Sequence, residues 1–96
     1  MLTTKERAQK VGERIVAARK RKGMSQVELS KVLAERYGRD PESVRRTLVN
    51  NETGKYSPRL HFLEAIAAAT EQPLAFFAVE EGGEADGEAV PFREAV

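Results

Sequence analysis

Cysteine is absent from this 96-residue chain. That removes two classes at once, the disulfide-stapled scaffold and the thiolate zinc site, and with them any need for an oxidising compartment. Long apolar runs are missing as well. The longest, Leu74–Val79, has six residues, where a membrane-spanning helix needs ~20. The opening Met1-Leu2-Thr3-Thr4-Lys5-Glu6 has no apolar signal-peptide core, so a soluble, cytoplasmic protein is expected. Histidine occurs once, as His61 between Leu60 and Phe62, a setting that suits a surface residue better than a base. No serine sits beside a matched base, and no glycine-rich Lys-Ser/Thr phosphate loop occurs. Gly82-Gly83 lies among acids, which repel phosphate. One histidine and scattered carboxylates make a poor metal site. An enzyme is therefore not expected, and neither is a cofactor nor a metal.

Charge is present in quantity but unevenly placed. The net formal charge is +1, which looks neutral. Yet Glu80, Glu81, Glu84, Asp86, Glu88 and Glu94 all follow Val79, against one base there, Arg93. Residues 1–79 thus carry fifteen bases and nine acids, a net of +6. Such asymmetry suggests a polyanion-binding body, residues 1–79, followed by an acidic segment, residues 80–96. The second segment is acidic and glycine-rich and has too little apolar surface to offset its ordering entropy, so a flexible C-terminal tail is expected there. A body of this size is one domain. It buries only about 60% of its unfolded-chain surface, and dimerisation would add to that small core.

Within the body, apolar residues recur at helical spacing. Thr3 and Glu6 form a capping-box pattern, and Ala8, Val11, Ile15 and Ala18 follow on one face. The basic run Arg19–Lys22 suits the negative end of a helix, and Gly23 is placed to stop it. Ser25 and Glu28 open a second helix with Leu29, Val32 and Leu33 inward and Gly38 at its end. Asp40-Pro41 starts a third, with Val44 and Leu48 buried, closed by the turn-rich Asn50–Lys55. Ser57-Pro58 is read as the cap of a fourth, with Leu60, Leu63, Ile66 and Ala67 inward. Gln72-Pro73 breaks it, and Leu74–Val79 begins a short fifth helix.

Five short helices with a tight second-to-third connection suggest a helix-turn-helix module. Here the sequence resembles a known family. Val11-Gly12-x-x-Ile15-x-x-x-Arg19-x-x-x-Gly23-x-Ser25-Gln26-x-x-Leu29 looks like the opening of the Cro and phage-repressor (XRE-type) DNA-binding domains. Glu52-x-Gly54-x-x-x-Pro58-x-Leu60-x-x-Leu63-x-x-Ile66-Ala67, then Leu74 and Phe77, is similar to their second half. The resemblance covers about residues 11–78 and implies an all-α, five-helix, lambda-repressor-like domain. Its function would be a sequence-specific transcriptional regulator, for instance a repressor, binding double-stranded DNA as a homodimer. This chain is longer than the family between Ser25 and Glu52. The excess falls in Val32–Glu42, so the second helix, the turn or the third helix is about a turn longer.

The resemblance makes residues 41–51 a recognition helix for the major groove, which is about 12 Å wide. Counted back from Glu52, Arg45, Arg46 and Asn50 fall on its outer face and are candidate base contacts. Arginine can donate two hydrogen bonds to guanine O6 and N7, and asparagine pairs bidentately with adenine. Ser43, near the helix start, is a further candidate, with local capping as its alternative role. Gln26, in the first turn of helix 2, is by resemblance a phosphate contact and a buttress for a recognition residue. Lys55 and Arg59 are candidate phosphate contacts, or plain surface charges. Arg19 and Glu52 are by resemblance an inward salt bridge tying helix 1 to the end of helix 3. Leu74, Phe76 and Phe77 can serve the core or a dimer interface; by resemblance Leu74 and Phe77 are core positions and Phe76 is the freer one, with the fifth helix expected to mediate a two-fold dimer. An alternative function is an antitoxin-type protein-interaction module, in which Val90-Pro91-Phe92-Arg93-Glu94-Ala95-Val96 binds a partner protein. The same segment could instead cover the basic face.

Overall fold

The computed structural model describes residues 2–79, and every regular element within them is helical. Each of the first three helices starts where side-chain chemistry satisfies its orphan amides. The Thr3 hydroxyl accepts from the Glu6 amide at 3.0 Å and the Glu6 carboxylate accepts from the Thr3 amide at 2.9 Å, which opens α1, Thr4–Arg21. Ser25 and Glu28 form the same reciprocal pair at the start of α2, Gln26–Tyr37. Asp40 caps α3, Pro41–Glu52, by accepting from the Ser43 amide at 2.9 Å. Pro41 then occupies the first helical position, where a missing N–H costs nothing. Gly38, at the left-handed φ of 62°, ends α2. Only Gly38–Asp40 separates the two twelve-residue helices.

Several boundaries differ from the sequence reading. Asn50, Asn51 and Glu52 are helical, and Thr53 is the cap that ends α3. Asn51 donates through Nδ2 to the Tyr56 carbonyl at 3.0 Å, holding the following loop against the helix end. With the loop so held, Arg59 is still extended (φ −72°, ψ 156°), and α4, Leu60–Thr70, begins two residues after Pro58. Ser57 is therefore not its cap, and no side chain caps α4. Its buried face comprises Phe62, Ala65, Ile66, Ala67 and Thr70. Leu60, expected inward, is 63% exposed, because residues two apart on a helix point about 200° apart and Phe62 takes the inward position. In α2 the buried stripe runs through Leu29, Ser30, Leu33 and Ala34, and Val32 is 42% exposed. A ladder of three- and four-residue steps permits either side of Leu29. The polar Ser30 marks the side that is buried.

The expected fifth helix is a single 3₁₀ turn, Leu74–Phe77, ended by an extended Ala78. One of its carbonyls and the two that follow the turn are taken by α1. Arg14 donates through Nη1 to Phe76 O at 2.8 Å and Ala78 O at 3.1 Å, and Arg7 donates to Val79 O at 2.9 Å. Partners supplied from another helix remove the gain of continuing the intrahelical ladder, and four residues barely form one costly nucleus. The described residues thus hold four α-helices and this turn. Residues 80–96, read as a flexible acidic tail, lie outside the described residues.

Ile15, Leu29, Leu33, Val44, Leu48, Ile66 and Phe77 close the core, with every element contributing at least one of them. α1 crosses the end of α3 at Gly12, where an added Cβ would stand 2.6 Å from the Asn51 carbonyl oxygen. Only glycine permits that approach. No helix among the described residues is long and apolar enough to cross a membrane.

Candidate nucleic-acid interface

The orientation of α3 is fixed by one buried carboxylate. Glu52, at the helix end, has a side chain 4% exposed and faces Arg19 of α1, whose side chain is 12% exposed. The pair is bidentate, Arg19 Nε to Oε2 at 2.8 Å and Nη2 to Oε1 at 3.0 Å. Arg19 also donates through Nη1 to the Met24 carbonyl at 3.1 Å, gripping the α1–α2 loop. Gln26, the first residue of α2, donates through Nε2 to Glu52 Oε1 at 2.8 Å. Side chains from α1 and α2 therefore converge on one carboxylate of α3, both of whose oxygens are satisfied. Charge-assisted bidentate bonds are the strong kind, and removing either partner of a buried pair costs about 3–5 kcal/mol.

With Val44, Leu48, Asn51 and Glu52 buried, α3 turns its other side outward. Arg46 is exposed and has no hydrogen bond or ion pair among the described residues. Asn50 and Ser43 are half-buried along the same flank. The Ser43 amide serves the Asp40 cap, and its carbonyl accepts from the Thr47 hydroxyl at 3.3 Å. The Asn50 carbonyl accepts the amides of Lys55 and Tyr56, tying the loop down. Arg45 lies round the helix from this group and stands 3.5 Å from Glu42. Arg46, Asn50 and Ser43 thus share a flank, and Arg45 borders it from the far side.

Two concavities flank this ridge. One, of about 490 Å³, lies between α3 and the start of α4 and is lined by Arg39, Thr47, Asn50, Tyr56, Arg59 and His61, among others. The other, of about 790 Å³, lies between the first turns of α1 and the α3–α4 loop, with Lys5, Gln9, Thr53 and Lys55 in its wall. Tyr56 and Ser57 line both, so the two are neighbours, the two halves of a basic trough. No acidic residue lines either, while Lys5, Arg39, Lys55 and Arg59 do. Lys55 sits over the Tyr56 ring, 5.6 Å from its centroid. Tyr37, in the last turn of α2, donates to the His61 carbonyl at 2.8 Å and stacks on Phe62, which sets the start of α4 relative to α2.

The structure thus places Asn50, Lys55 and Arg59 in the lining of the trough, leaves Arg46 and Ser43 on the outer flank of α3 outside that lining, and brings Gln26, Arg19 and Glu52 together at the end of α3. Sequence reading missed Lys5, Arg39, Thr47 and Tyr56. Arg39 carried one available signal, its place in the three-residue connection between the two helices. Lys5 carried none, since only the fold sets the start of α1 beside the α3–α4 loop. Leu74 and Phe76 are partly buried and Phe77 fully so, with Arg21 lying 5.0 Å over the Phe76 ring. Among the described residues no group of three or more acids or histidines could hold a metal ion. Comparison of the chain with family models, curated proteins and solved structures finds no match.

Proposed function

We propose that this protein is a sequence-specific double-stranded DNA-binding regulator of the lambda-repressor-like, helix-turn-helix type, with α3 entering the major groove. The observation that carries the reading is the outer flank of α3. It is an exposed arginine, unpaired among the described residues, beside an asparagine, on a helix locked by the Arg19–Glu52–Gln26 network and bordered by a trough whose described lining holds four bases and no acid. The sequence resemblance to Cro and phage repressors supports the same role. Arg46 and Asn50 read base edges, with Arg45 and Ser43 at the margins of the site. Lys55, Arg59, Arg39 and Lys5 hold the phosphates. Gln26, with one N–H on Glu52, directs its second toward the backbone beside the start of α2.

Two copies would bind paired half-sites, since half-site spacing mirrors protein symmetry. The partly buried Leu74 and Phe76 of the 3₁₀ turn supply the contact surface of this homodimer. A monomeric mass in sedimentation, both free and on DNA, would contradict the dimer.

Titration of fluorescent duplexes with the protein at several salt concentrations tests the function. Affinity should fall with a log–log slope of about −0.9 per neutralised phosphate, roughly −4 if the four trough cations all engage. Absence of binding at low salt would end this reading.

A further inference from the structure

We infer that Thr47 is a further base-reading residue of α3, and that its methyl group selects thymine by packing on the C5-methyl this base displays in the major groove. The inference deepens the DNA-binding reading proposed above and rests on it. Thr47 follows Arg46 directly and lies one turn beyond Ser43 and one turn before Asn50. At about 100° per residue, all four side chains fall within a quarter to a third of the helix circumference. Arg46 and Thr47 are the exposed members of the group, and Ser43 and Asn50 are half-buried. Thr47 also lines the cavity that holds Arg39 and Arg59. It therefore stands on the side of α3 where a duplex held by those cations would lie.

Local chemistry decides which atom of Thr47 is on offer. Its hydroxyl donates to the Ser43 carbonyl at 3.3 Å, one turn back along the same helix. A helical threonine divides between two side-chain rotamers, and a bond of this kind selects one of them. The hydroxyl proton is spent within α3, so it is not available to an acceptor on a base edge. The methyl, on the other branch of Cβ, carries no such tie. Its position is held twice over, by the back-bond and by the Arg19 and Gln26 bonds that fix the end of the helix through Glu52.

That rigidity matters because the gain is small. Burying one methyl is worth about 0.8 kcal/mol, which is about fourfold in affinity. A long, freely rotating side chain loses a comparable amount when it is immobilised on a partner. A β-branched side chain already confined to one rotamer loses far less. Arg46 thus discriminates by forked hydrogen bonds and Thr47 by apolar fit.

Uracil differs from thymine only in lacking this methyl, which gives a direct test. The native chain is offered random duplexes made with thymine and, in parallel, random duplexes made with uracil throughout. The inference predicts a thymine in the enriched motif at a position that turns degenerate in the uracil pool, while the arginine-read position persists in both. In titrations, replacing that thymine by uracil should weaken binding by the native chain about fourfold. Thr47→Ser keeps the hydroxyl and drops the methyl, and should bind the two duplexes equally. Thr47→Val keeps a methyl and drops the hydroxyl, and should retain the preference. Thr47 is exposed, so neither variant disturbs the core. A thymine preference that survives Thr47→Ser, or one that Thr47→Val abolishes, would overturn the inference, as would a motif indifferent to the methyl at every position. In each of those cases the enriched motif leaves the DNA-binding reading standing. A native chain that enriches no motif from either pool would remove both.

Discussion

Arg46 and Lys55 are both exposed cations, and the proposed DNA-binding reading gives them different work. Arg46 stands on the outer flank of α3 with no partner among the described residues, where the proposed reading has it fork onto a base edge. Arg46→Ala should cost about 1–3 kcal/mol of binding and relax discrimination at one base pair, read from titrations of a substituted-duplex series. Lys55 belongs to the loop and the trough wall. Lys55→Ala should weaken all duplexes alike and reduce the salt slope by about 1, and a sequence-dependent loss would contradict its role. Glu52 acts through stability. Glu52→Ala leaves the Arg19 guanidinium buried without its partner, and about 3–5 kcal/mol should disappear in urea denaturation, with the midpoint moving and the m value unchanged.

At the scale of helices, two close contacts set how α3 is presented. α1 meets the end of α3 through Gly12, so Gly12→Ala forces a Cβ against the Asn51 and Glu52 carbonyls. Overpacking of this kind costs about 1–3 kcal/mol. Thermal unfolding should show the loss, and a variant as stable as the native chain would mean the crossing is looser than described. Caps made the starts of α1, α2 and α3 legible in sequence, because Thr3, Ser25 and Asp40 each satisfy amides within three residues. The start of α4 was not legible, since it is set by Asn51 reaching the Tyr56 carbonyl across five residues. The 3₁₀ turn was hidden for a similar reason, the carbonyls of Phe76 and Ala78 being taken by Arg14 from 62 and 64 positions away. Val32 and Leu60 carried a helical spacing that fitted either side of their helices, and burial decided between the sides only in three dimensions. At the site, the outward placing of Arg46 followed from the buried Val44 and Leu48, Arg45 lies instead nearer the buried side, and the trough followed from no local pattern at all.

The whole molecule joins a rigid, basic body to an acidic segment of nearly equal and opposite charge. Non-specific attraction to any polyanion is built into such a body, so affinity alone says little about its purpose. On the proposed reading, discrimination among sequences comes from the flank of α3. The most direct measurement is therefore a selection from random duplex DNA, run in parallel with the native chain and with Arg46→Ala. The account predicts that the native chain enriches one motif, repeated about a two-fold axis, and that the variant enriches the same motif with one position degenerate. Recovery of duplexes without regard to sequence by the native chain would contradict it.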